Sequence, residues 1–124
     1  MAKIVHDDVL DGALNIIKNS CTRMIACSSQ PTTFAEANAT YALADVTMAA
    51  GDFSIANGNT SGRKITISSK ASVPVDTTGS VTHAALLDVA NSKLLYVTTT
   101  NTQAVGAGGT VDFGSWTIEI ADPV

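Results

Sequence analysis

Charge is scarce in this sequence. Only 15% of its residues are Asp, Glu, Lys or Arg, where an ordinary soluble domain carries about 25%. The seven cations are scattered, the tightest group being Arg63-Lys64, and the net charge is −4. Nucleic-acid binding is driven by basic stripes that neutralise phosphates, so a direct grip on nucleic acid is excluded. Aromatic residues make up 5% of the chain, too few for the stacking platforms of an ordinary carbohydrate-binding module. No apolar run approaches the roughly 20 residues that span a bilayer, and no membrane partner is expected. The opening residues 1–8 turn polar at once instead of building the core of a secretory signal. The glycosylation patterns Asn38-Ala39-Thr40 and Asn59-Thr60-Ser61 therefore carry little weight.

Cysteine is scarcer still, at two residues. Cys21 and Cys27 fall in one strand-like segment. Six extended residues cover about 20 Å, whereas disulfide-bonded Cα atoms lie within about 7 Å. Two unbonded thiols are expected, as in a protein made in a reducing cytoplasm. No His/Cys spacing suggests a zinc site.

The groups that carry chemistry are also thin. Catalysis by a nucleophile needs a base and an orienting partner within reach. The histidines are His6, ahead of the first helix, and His83, which lies mid-strand and on strict alternation shares a face with Val81, Ala85 and Leu87. Asp7, Asp8 and Asp11 cluster at a helix start, where capping accounts for them. Asp45, Asp52, Asp76, Asp88, Asp112 and Asp122 fall at turns or strand ends, a common setting for Asp. Glu36 and Glu119 stand alone. The run Gly106-Ala107-Gly108-Gly109 has no Lys and opens no helix, so it is a turn and not a phosphate loop. The expectation is a protein that is not an enzyme, with no catalytic residue, no cofactor and no metal.

What remains is a chain built to fold. At 124 residues it suits one domain that buries about two thirds of its unfolded surface. Residues 7–19 have a helical period, with Val9, Leu10, Ala13, Leu14 and Ile17 on one apolar face. Asp7 or Asp8 is placed to cap this helix, and Lys18 sits at its far end. At about three turns it is too short to persist alone and needs a partner surface. Residues 21–27 read as a mostly buried strand, 28–33 as a loop around Pro31, and 34–41 as a short Ala-rich helix. Residues 45–50 fit either a strand or an irregular link. Everything after Gly51 reads as β. Phe53 and Ile55 alternate, residues 57–62 form a turn, and Ile65 and Ile67 face inward. Val73-Pro74-Val75 suits an edge strand or a loop. Residues 81–87 and 93–99 form strands linked by a hairpin loop over 88–92. The last strand covers 110–120, with a bulge at Gly114-Ser115 and with Trp116 read as core more readily than as a partner anchor. Short strands at this spacing indicate a sandwich or barrel.

The second half resembles a module of small tailed-phage structural proteins. Gly79-Ser80-Val81-Thr82-His83-Ala84-Ala85-Leu86-Leu87-Asp88 leads into Lys93-Leu94-Leu95-Tyr96-Val97. Ala104-Val105, the Gly turn and a closing strand follow. Cys27-Ser28-Ser29-Gln30-Pro31-Thr32-Thr33, Tyr41-Ala42-Leu43 and Ser61-Gly62-Arg63-Lys64 fit the same impression. The resemblance implies a virion protein, made in the bacterial cytoplasm, that decorates or cements the capsid. It implies a mainly-β, jelly-roll-like sandwich with a short N-terminal amphipathic helix. The implied partners are the major capsid protein or other virion proteins, and sibling copies in a trimer or dimer. Met1, Ala2, Lys3, Ile4 and Val5 are candidates for an arm that orders on a neighbour, with a frayed terminus as the plain alternative. The competing expectation is a tail, baseplate or head-fibre component that binds a host receptor or a carbohydrate.

Overall fold

The structure is a computed structural model that describes residues 4–122. It is mainly β, with one short N-terminal α-helix, α1 (Asp7–Ser20). Nine strands follow: β1 (Arg23–Cys27), β2 (Ala42–Thr47), β3 (Phe53–Asn57), β4 (Arg63–Ile67), β5 (Lys70–Pro74), β6 (Gly79–Asp88), β7 (Lys93–Val105), β8 (Thr110–Phe113) and β9 (Trp116–Ile120). All pairings are antiparallel. They make a four-stranded sheet in the order β2-β1-β6-β7, a three-stranded sheet β3-β4-β9 and a two-stranded ribbon β5-β8. A jelly roll, by comparison, arranges eight strands in two sheets.

The four-stranded sheet is covered on both faces, which explains why its central strands are apolar without alternation. Met24, Ala26, Ala84 and Leu86 face the main core, shared with Ile65 and Ile67 of β4 and with α1. Ile25, Cys27, Ala85 and Leu87 face the other way, beneath Ala37 and the half-buried Phe34 and Tyr41. Met24, Ile25, Leu86 and Leu87 are essentially inaccessible to water. Each such side chain contributes roughly 1.5–3 kcal/mol, against tenths of a kcal/mol for strand or helix propensity. Packing therefore decides the fold. The segment over Ala37 is helical as expected, but Glu36–Thr40 is a π-turn. Tyr41 N donates to Glu36 O at 2.8 Å, and Glu36 in turn accepts from Thr32 N at 2.9 Å and Thr32 Oγ1 at 2.7 Å. These bonds hold the Glu36 carboxyl below its usual range.

The helix corrects two expectations. Its buried stripe is Leu10, Leu14 and Ile17, continued by Cys21, at i, i+4 and i+7. Val9 and Ala13, expected on the same face, are exposed, because they lie to one side of that stripe, beyond the reach of β3 and β4. The cap is neither Asp7 nor Asp8. His6 is the N-cap, and its Nδ1 accepts from Asp8 N at 3.0 Å. Both Asp residues stay in the first turn, where they complement the helix dipole. Lys18 donates to Ala50 O at 2.9 Å and Phe53 O at 2.7 Å. Asp11 accepts from Arg63 Nε at 2.8 Å, a bond that pushes the guanidinium pKa further up. The helix is thus pinned to the three-stranded sheet at both ends.

Three strand expectations also change. The uncertain stretch 45–50 is β2 as far as Thr47. Strand β7 runs on through the polar residues to Val105. The closing strand is not one bulged strand but two. Strand β8 pairs with β5, and after Gly114-Ser115 the chain enters the other sheet as β9 against β4. Ser115 Oγ donates to Ile67 O at 2.9 Å and fixes the crossing. At the opposite corner Gly62 has φ +72, and a Cβ there would stand 1.9 Å from Ile120 O. A side chain is excluded on both counts. Cys21 and Cys27 are free and buried, and burial pushes each thiol up to about 11, so neither is a ready nucleophile.

Candidate interaction surface

The four-stranded sheet has two outer edges. At β2, Ala44 bridges to Val75, while Asp76 N and Thr77 N donate to Leu43 O at 2.8 and 3.2 Å. At β7, pairing runs to β6 on one side, and among the described residues no strand lies on the other. Strand β7 is 13 residues long, and residues 99–104 are exposed. No charged side chain occurs from Leu94 to Val111. Unpaired backbone groups on such an edge are a template for another chain. The register shifts at two places, between Val81 and His83 and between Leu86 and Leu87. Both are bulges that twist the edge.

The first bulge also corrects the placement of His83. Val81 joins Ala84 and Leu86 in the main core, whereas Ala85 and Leu87 belong to the opposite face. The shift breaks the alternation that put Val81 on the His83 face. His83 is half-buried, and its Nδ1 lies 2.8 Å from Thr82 Oγ1.

A cleft of about 490 Å³ opens between β7 and the segment where β8 gives way to β9. Its floor is apolar, from Ala26, Val81, Ala84, Val111 and Phe113. Its rim carries Thr98, Thr100, Asn101, Gln103, Ser115 and Thr117. Trp116 lines it, half-buried, with its ring centroid 5.9 Å from that of Tyr96. Trp116 is therefore neither wholly core nor wholly interface. Asp112 supplies the one charged side chain of the lining, and its Oδ1 accepts from Ser72 N at 2.7 Å. The cleft offers hydrogen bonds and apolar contact, and proton transfer there would rest on Asp112 alone.

Of the arm residues named from the sequence, Met1, Ala2 and Lys3 lie outside the described residues. Ile4 is 93% exposed and Val5 half-buried. Among the described residues no group of three His, Cys, Asp or Glu is placed to hold a metal ion, and no helix is long and apolar enough to cross a membrane. Sequence reasoning did not find the cleft, which four distant segments build together. Its one visible signal was Trp116 beside a Gly-Ser break. No family model, curated protein or solved structure matches this chain.

Proposed function

We propose that this chain is a structural subunit of a tailed-phage virion, one that decorates the capsid and stabilises it through contacts with the major capsid protein and with its own copies. The observation that supports this most is the long outer edge of β7, which carries no charged side chain beyond Lys93 at its start. A protein that worked alone would be expected to guard such an edge with lysines or cover it. The sequence resemblance and the low overall charge point the same way. The reading assigns the chain to the virion, with protein partners and without catalysis, cofactor, nucleic acid or membrane. Mixing the purified protein with undecorated heads tests it. Co-sedimentation and greater resistance of the heads to heat or chelation are expected, and failure to co-sediment would count decisively against the reading.

One observation favours a second reading. Trp116 with Thr98, Asn101 and Gln103 around one cleft gives a stacking surface ringed by uncharged hydrogen-bonding groups. A tail, baseplate or head-fibre component that binds a host glycan would use such a site. Glycan binding without head binding would select this alternative.

A further inference from the structure

Two places in this chain are built to cyclise on themselves, and one guanidinium holds the side chain at both. An Asn or Asp followed by Gly is attacked most readily by the next backbone nitrogen. Glycine puts no side chain in the way of the five-membered ring and gives the backbone most freedom to close it. Of the seven asparagines only Asn57 precedes a glycine, and of the aspartates only Asp11 does. One ends β3 and the other lies in α1. Arg63 reaches both. Its Nη1 donates to Asn57 Oδ1 at 2.8 Å, while its Nε and Nη2 donate to Asp11 Oδ1 and Oδ2 at 2.8 and 3.3 Å. The Arg63–Asp11 pair is well covered, at 19% and 20% exposed, and so anchors the guanidinium. Asn57 is exposed and stands opposite Arg63 in the β3–β4 ladder.

The hairpin itself imposes glycine at position 58. A Cβ there would stand 2.1 Å from Ser61 O and 2.7 Å from Glu119 Oε1, so no bulkier, less reactive neighbour can follow Asn57. The attacking atom is restrained as well, because Gly58 N donates to Gly62 O at 2.9 Å. At Asp11-Gly12 the corresponding nitrogen lies within the ladder of α1, and a carboxylate is a poorer electrophile than an amide. Asn57 is therefore the less firmly guarded of the two. We propose that Asn57-Gly58 is a self-modification site, whose conversion to aspartate or isoaspartate is gated by Arg63. Gly58 N loses its proton and bonds to Asn57 Cγ. The Cγ–Nδ2 bond breaks, and ammonia leaves carrying that proton. Water then opens the cyclic imide at either carbonyl, and no other reactant is needed. Opening at the side-chain carbonyl gives aspartate, whose new carboxylate faces the guanidinium. Opening at the main-chain carbonyl gives isoaspartate, which adds one carbon to the backbone and breaks the register of position 57 with Arg63. In the native state Asn57 Oδ1 is held on Arg63 and Gly58 N on Gly62 O, so ring closure waits for a local opening. This chemistry is independent of what the protein binds.

The test uses the full chain, kept folded at mildly alkaline pH, with peptide mapping by mass to read each asparagine separately as its acid and iso forms. Asn57 is expected to convert ahead of the other six. Arg63→Gln is expected to raise the Asn57 rate about tenfold, the equivalent of one hydrogen bond to a charged group, and to leave the other six unchanged. Arg63→Lys keeps the charge but not the fork that reaches two side chains. A smaller rise, at Asn57 alone, is expected there, and this variant carries the test if Arg63→Gln does not fold. In denaturant the parent and both variants are expected to convert at Asn57 at one rate, since the gate is gone. An Asn57 no faster than the other asparagines, a folded-state rate unchanged in the Arg63 variants, a rise shared by every asparagine, or a difference that persists in denaturant would each overturn the proposal.

Discussion

The two edges of one sheet are treated in opposite ways by this chain. At β2 the backbone doubles back through Val75, Asp76 and Thr77 and meets the outward carbonyl of Leu43. Leu43 is itself buried and packs over Gly79, where an added Cβ would come within 3.0 Å of its Cδ2. At β7 nothing described covers the edge, and the outward side chains are Thr, Asn and Gln. The sheet is therefore finished on one side by the chain itself and left open on the other. The difference teaches where stability and association reside. Removing contacts at β2 should unfold the protein, and altering β7 should change what it binds.

The largest effect is expected at the closed edge. Leu43→Ala removes a buried side chain whose neighbours on β2, β5 and β6 are fixed by backbone bonds, so the cavity cannot collapse. Such truncations cost about 2–5 kcal/mol. Chemical denaturation should show the midpoint falling while the slope stays constant. A loss below 1 kcal/mol would mean that the β2 edge is not part of the cooperative unit.

The apolar interior and the tight turns were more legible in sequence than either edge. Ile65 and Ile67 alternate in a Lys-Ile-Thr-Ile pattern and are buried as that pattern requires. The hairpin over residues 88–92 is there, held by Asp88, whose carboxylate accepts from Asn91 Nδ2 at 2.8 Å. The open side hid for physical reasons. Thr98, Thr99, Thr100, Asn101 and Thr102 have no apolar alternation, so a strand there shows only in the β-propensity of Thr and in the pairing of Thr98 and Thr99 with Ala84 and His83. The split of the closing strand was invisible because Gly114-Ser115 permits either a bulge or a change of sheet. The outcome is fixed by long-range partners, β5 and β4. In α1 the period was plain, but which of two adjacent stripes faces inward depends on the surface it meets. The cleft depends on Ala26 and Ala84 meeting in register, which no local pattern encodes.

Acid should loosen the closed side next. Asp52 accepts from Lys70 Nζ at 2.8 Å and from Ala49 N at 2.8 Å. The Lys70 bond, ahead of the others, holds its carboxyl below the usual range. A carboxylate with a depressed folded value stabilises the native state above its unfolded pKa of about 3.9. That contribution is lost as pH falls through the lower folded value. Unfolding followed from pH 6 down to about pH 2 should therefore show stability declining below about pH 4. Asp52→Asn should be less stable at neutral pH by about 1 kcal/mol and should flatten part of that acid slope. An unchanged slope would remove the Asp52–Lys70 pair from the account of how β5 is held to the turn before β3.

The smallest expected effect on folding is at the open edge, and it separates the two edges most sharply. Thr100→Lys with Thr102→Lys places two cations on the exposed outer half of β7. Both positions lie within the stretch that the Val81/His83 register shift throws out from β6. Each native side chain is exposed, and Thr100 Oγ1 donates only to the neighbouring Asn101 O, at 3.2 Å. Substitutions of this kind change stability by less than about 0.5 kcal/mol. The same lysines are the residues by which natural edge strands repel a pairing chain, and in a symmetric assembly every copy would carry them. The double variant should therefore melt with the parent yet lose self-association or head binding, as read by sedimentation. A fall in stability with association intact would reverse the comparison, because it would make β7 the edge that the fold needs and leave the binding surface to be sought elsewhere.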